Sequence, residues 1–188
     1  MKHLNALLLI LVLGLSNYSI AIAQGFEPPS EVKSVVYFTR INSTGSMVNF
    51  KYYDYDKFIG KFKGKNYMKY ECSPGEHVFW ASAESKDFIT ADLEEGKTYI
   101  IAVEGKMGMM SAGVKFLTTE DERKLKRALT LIHKKAPIVM TEATIDSENQ
   151  ELKEYITTKL SKYENEWKEE NEYLHISPDM FIPTEKLK

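Results

Sequence analysis

The chain has 188 residues, 43% hydrophobic, 12% aromatic and 28% charged, with six prolines and one cysteine. That composition excludes a disordered chain, a collagen-like repeat and a disulfide-stapled scaffold. The formal net charge of −2 becomes −3, 24 basic residues against 27 acidic, once Lys2 leaves with the leader described next, so a nucleic-acid partner is disfavoured.

Residues 1–23 read as a removable export signal. Lys2 precedes an apolar run over 4–15, then Ser16-Asn17-Tyr18-Ser19, then Ile20-Ala21-Ile22-Ala23 with the A-x-A pattern that places cleavage after Ala23. Removing these 23 of 188 residues leaves 165, enough for one core that buries roughly 68–70% of the unfolded surface. A retained anchor is the rival reading, but spanning takes about 20 uninterrupted apolar residues, and Asn17 and Ser19 break the run. No transmembrane span is expected after signal removal. There is no lipid-attachment cysteine at the cleavage site, and the compartment expected is the periplasm or the cell surface.

Residues 24–31, polar and holding Pro28-Pro29, are expected to be extended. From 32 to 118 short β-favouring runs alternate with turn signals. The strands expected are 34–41, 47–53, 58–62, 67–72, 77–83, 87–93, 97–104 and 112–117. Between them lie Asn42-Ser43-Thr44-Gly45-Ser46, Lys63-Gly64-Lys65-Asn66, Ser73-Pro74-Gly75-Glu76 and Glu94-Glu95-Gly96. The expected fold class is mainly β, an antiparallel β-sandwich of seven to eight strands with a C-terminal two-helix extension. Phe38, Phe50, Trp80 and Ile101 occupy apolar strand positions and are expected to be buried together.

After Leu117 the hydrophobic period lengthens to that of a helix. A short helix is expected over 119–136, started by a capping box of Thr119 with Glu122 and stopped by Pro137. A long amphipathic helix is expected over 147–173, with Leu152, Ile156, Leu160, Tyr163, Trp167 and Leu174 on one stripe and lysines and glutamates opposite. The tail, 174–188, holds Pro178 and Pro183 and reads as extended.

The strand run Val36-Tyr37-Phe38-Thr39-Arg40, the hairpin strand Phe58-Ile59-Gly60-Lys61-Phe62, the turn Ser73-Pro74-Gly75-Glu76-His77 and the turn Glu95-Gly96-Lys97-Thr98-Tyr99 together resemble a bacterial family known as domain of unknown function 2846. The resemblance covers about residues 32–116. It implies an exported β-sandwich of no known activity and carries over no catalytic residue.

His77, His133 and His175 lie in three different elements without zinc spacing, and a hydrolytic zinc needs three protein ligands, so no metal site and no cofactor are expected. Cys72 is alone and is expected to be a buried thiol. Met107, Met109 and Met110 could offer thioethers to Cu(I), but no His or Cys joins them, and the preferred reading is gap-filling before the last strand. Lys57, Lys61, Lys63, Lys65 and Lys69 gather on one hairpin and suit exposed strand edges. Tyr163, Trp167 and Tyr173, amphipathic aromatics on the long helix, are offered to a protein partner or a second copy; the competing reading has the short helix cover the whole stripe. The function expected is an exported, non-catalytic binding or structural module. A small hydrolase or metal-dependent enzyme is the alternative, to be recognised if His77, Glu76 or Asp87 converges with other ionisable groups. A carbohydrate-binding module is the third reading.

Overall fold

Pairing of β-favouring runs across a shared apolar interior organises the computed structural model, which describes residues 25–107, 109–110 and 112–187. The leader expected at 1–23 lies outside the described residues. Nine strands occur among the described residues: β1 Ser34–Arg40, β2 Phe50–Asp54, β3 Lys57–Phe62, β4 Tyr67–Cys72, β5 Gly75–Ser82, β6 Lys86–Leu93, β7 Thr98–Met107, β8 Ala112–Leu117 and β9 Leu174–Ile176. Two helices of more than three turns follow β8, α1 Glu122–Lys134 and α2 Glu142–Lys162. The sheets have the orders β4-β1-β7-β8 and β3-β2-β5-β6-β9.

The expectation of purely antiparallel pairing is corrected at two places. β1 pairs in parallel with β7, and β6 in parallel with β9. A parallel pair needs a long crossover. The chain between β1 and β7 supplies one by building most of the second sheet, and the helical segment before β9 supplies the other. The tail is therefore not simply extended. It carries β9, which takes Leu174 off the helical stripe and leaves it exposed, and Ile182 N–H donates to the Thr98 carbonyl at 2.8 Å.

Inward residues of both sheets share one apolar cluster, including Val36, Phe38 and Ile101 from the first sheet and Phe50, Phe79 and Ile89 from the second. Each sheet also buries its outer face. Ala128 and Ile132 of α1 cover Val35, Tyr37, Ile100 and Ala102, whereas Ile156 and Leu160 of α2 cover Tyr53, Phe58, Trp80 and Phe88. This explains why all seven residues of β1 are buried and why its sequence does not alternate. Trp80 is buried as expected but not with Phe38, Phe50 and Ile101. Side chains alternate along β5, so Phe79 points between the sheets and Trp80 points outward under α2.

The helix ends also differ from expectation. Asp121, not Thr119, caps α1, its carboxylate accepting from Arg123 N–H at 2.9 Å. The long helix starts at Glu142 rather than 147, because Thr141 accepts from Thr144 N–H and caps it. It runs through a π-helical turn, Tyr163–Trp167, and a last turn, Lys168–Glu170, rather than to 173. The short helix does not cover the long one's stripe, since the two lie on outer faces of different sheets. No helix among the described residues is long and apolar enough to cross a membrane.

Candidate functional site

The aromatic stripe of the long helix meets the sheet at Phe88. Tyr163 stacks on the Phe88 ring at 4.5 Å and 14°, and Trp167 and Tyr173 stand 6.0 and 5.5 Å from it at steep angles. The π-helical turn adds a residue between Tyr163 and the last helical turn, a distortion that recurs at functional sites. Past the turn, Asn171 closes the helix by donating its side-chain and backbone N–H to the Trp167 carbonyl, at 3.0 and 3.1 Å. The chain then reverses so that Tyr173 can lean on Phe88 just before β9 begins.

The three residues offered to a partner therefore divide. Tyr163, 1% exposed, has its ring spent on the protein's own sheet and has no surface for a partner. Trp167 and Tyr173 stay half-buried and, with Lys86, Phe88 and Asn171, line a shallow pocket of about 260 Å³. Strand alternation alone places Lys86 and Phe88 on one face of β6, a signal that could have found them once the long helix was known to lie there.

Lysines gather beside this pocket. The Lys86 ammonium lies 6.0 Å and the Lys159 ammonium 5.4 Å from the centroid of the Tyr155 ring. Partial burial, and then repulsion from Lys159 and Lys162, hold the Lys86 pKa below its ordinary value. None of the three lysines has an ion-pair partner among the described residues. The nearest carboxylate in sequence, Asp87, accepts instead from the N–H groups of Phe88 and Phe116 at 3.1 and 2.7 Å, and burial raises its pKa.

A second constellation bridges the two sheets. The Asp54 carboxylate of β2 receives the Tyr70 hydroxyl of β4 at 2.9 Å and the His77 Nδ1–H of β5 at 3.0 Å. His77 Nε2 donates to the Ser73 carbonyl at 2.8 Å. Burial by itself would lower the His77 pKa, but hydrogen bonds to Asp54, Cys72 and the Ser73 carbonyl together with the Asp54 charge lift it from 6.5 to about 10. The convergence of His77 with other ionisable groups is thus present, next to a cleft of about 720 Å³ that also reaches Glu76, Asp92 and His175. Its chemistry is that of a latch. At neutral pH the imidazolium has no lone pair to offer a substrate, and both its N–H groups are occupied. His77 is accordingly a half-buried residue held at both ring nitrogens.

Arg40, the last residue of the Val36–Arg40 motif, is wholly buried and has no ion-pair partner among the described residues. Its guanidinium donates to the carbonyls of Val48, Thr44 and Gly45 at 2.9, 2.6 and 2.7 Å and lies 3.6 Å over the Phe50 ring. It holds the 41–49 loop against β7, where a Cβ at Gly105 would come within 2.2 Å of the Thr44 carbonyl oxygen. The methionines before β8 fill no gap. Met107, Met109 and Met110 are 87%, 97% and 92% exposed, which overturns the gap-filling reading of their role. The hairpin lysines lie on or beside β3 and β4, which are sheet edges, and Lys61 and Lys69 pair with Glu148 and Glu27. Cys72 is buried, its thiol facing the Ser34 carbonyl. Among the described residues no group of three or more His, Cys, Asp or Glu side chains is arranged to hold a metal ion. Comparison with family models, with curated proteins and with solved structures found no match, so the geometry of these residues alone carries the functional reading.

Proposed function

We propose that this protein is a non-catalytic binding module working in the periplasm or at the cell surface, and that its site is the pocket between Trp167, Tyr173 and β6. The scaffold in this reading is a β-sandwich of the kind the resemblance to domain of unknown function 2846 implies, with a helix added over each outer face. The export leader supports the compartment. One observation carries the function: half-buried aromatic side chains converge with an asparagine and an unpaired lysine around a concave surface, the composition of a recognition site. The residues with catalytic chemistry, His77, Asp54 and Tyr70, are meanwhile committed to one another across the sheets.

Tryptophan emission tests this directly. The chain has two tryptophans, and Trp80 is wholly buried. A panel of saccharides and peptides titrated into the protein is expected to give at least one saturable change in Trp167 emission, absent in Trp167→Phe, with no ligand consumed. Turnover of any panel member that disappears in His77→Gln would replace the binding module by the hydrolase reading.

A further inference from the structure

The methionines before β8 fill no gap, and they share no residue with the pocket at Trp167. We infer that Met107, Met109 and Met110, joined by Met47, bind one Cu(I) ion through their thioether sulfurs. Antiparallel pairing sets Met107 opposite Ala112, so Met109 and Met110 stand in the short connection that closes β7 onto β8. Met47 comes from the 41–49 loop, which Arg40 holds to the same end of the molecule. A Cβ added to Gly45, two residues before Met47, would come within 2.0 Å of the Ala112 Cβ. Four of the chain's eight methionines are thus placed at one end, each at least 79% exposed, whereas Met68 is buried and Met140 and Met180 are half-buried.

The identity of these side chains points to the ligand. On the 41–49 loop the other large apolar residues, Ile41 and Val48, are buried and half-buried, and the β7–β8 connection holds none besides methionine. What the four exposed residues share beyond apolar surface is a soft, polarisable sulfur on an unbranched chain with three rotatable bonds. Thioethers select Cu(I), while Cu(II) and Zn(II) are suited by imidazole, and neither segment contains a histidine or a cysteine. The backbone beneath the sulfurs is fixed in advance. The Glu84 carboxylate, between β5 and β6, accepts the N–H groups of both Met109 and Met110 at 2.9 Å. It sets where these two side chains begin and brings a negative charge beside a monovalent cation held by neutral ligands. The exposed side chains are then free to close on one ion without moving the sheet.

The test is a titration of the full chain with Cu(I) under anaerobic, reducing conditions, and with Ag(I) as its redox-inert counterpart, read by calorimetry and by the NMR signals of ¹³C-labelled methionine methyl groups. One ion is expected to bind per chain, shifting the methyl signals of Met47, Met107, Met109 and Met110 and leaving that of buried Met68 in place. Affinity is expected to drop at least tenfold in Met107→Leu and in Met109→Leu/Met110→Leu, and at least threefold in Met47→Leu. Leucine keeps the apolar bulk at these exposed positions, so each variant is expected to melt like the parent. Cys72→Ala, which removes the buried thiol, is expected to bind as the parent does. Binding lost in Cys72→Ala and kept in the leucine variants would assign the metal to the thiol and overturn the site. Unchanged affinity in Met47→Leu alone would overturn the four-sulfur set. Tighter binding of Cu(II) or Zn(II) than of Cu(I) would overturn the choice of ion. Association of parent and leucine variants alike with phosphatidylglycerol vesicles, without metal binding, would assign this end of the molecule to a lipid surface instead.

Discussion

Tyr52 shows how a single atom can be at odds with its surroundings. Its ring stacks on Phe62 at 4.8 Å in the interior, but its hydroxyl, like the Nε of neighbouring Arg40, is buried without a hydrogen-bond partner among the described residues. Burial drives the Tyr52 pKa far up, so the group stays a neutral, unsatisfied phenol. An unpaired buried polar group costs roughly 1–3 kcal/mol. Tyr52→Phe is therefore expected to stabilise the fold by about 1 kcal/mol, seen as a raised urea midpoint. A lowered midpoint would show that the hydroxyl does have a partner. Arg40 is the counterpart, a residue that the sequence presents as part of a strand motif and that proves to be the anchor of a loop. Nothing in its spacing reveals the three carbonyls that receive it, since they become neighbours only when the 41–49 loop folds back over β7.

At the scale of elements, the union of α2 with the second sheet depends on stacked rings. Trp80 lies on Tyr53 at 3.7 Å and 9°, neighbours Phe88 at 5.6 Å, and reaches Tyr155 of α2 at 6.2 Å. Its indole N–H also donates to the carbonyl of Tyr55 at 2.8 Å, and Tyr55 sits at a φ of +45°, a left-handed conformation unfavourable for a residue with a side chain. That bond helps hold the strained β2–β3 turn. Trp80→Ala is expected to cost about 3–5 kcal/mol through lost burial and an unfilled cavity. An unchanged denaturation midpoint would contradict this placement. The hydrophobic stripe of the long helix was legible from spacing because a helix repeats its faces every 3.6 residues. The surface it covers was not, since the same stripe could serve the short helix, the sheet or a second molecule.

For the whole molecule, the Asp54–His77–Tyr70 group is, like the bond from Phe116 N–H to Asp87, a polar tie between two sheets whose shared interior is apolar. Its consequence for stability has a definite sign. The unfolded chain releases the His77 proton near pH 6.5, whereas the folded protein keeps it until about pH 10. The stabilisation is thus complete below 6.5 and is lost as pH rises from there through 10. The melting temperature of the parent is expected to fall more steeply between pH 7 and pH 10 than that of His77→Gln, in which the other titrating groups are unchanged. Parallel declines would show that folding does not hold this proton.

Local information determined the strand segments, their turns and the helical stripe of this protein, because alternation, glycine and proline at turns, and the 3.6-residue repeat act over a few residues at a time. Even the weak points had local causes. The helix starts moved because Asp121 and Thr141 were also competent caps, and sequence does not rank neighbouring candidates. Only the tertiary structure decided that β1 meets β7 and β6 meets β9 in parallel, that Trp80 faces α2, and that Lys86 joins Trp167 and Tyr173 around one pocket. Each of these joins residues far apart in the chain, and such contacts are chosen by the competition of whole surfaces for burial, which no short window of sequence contains.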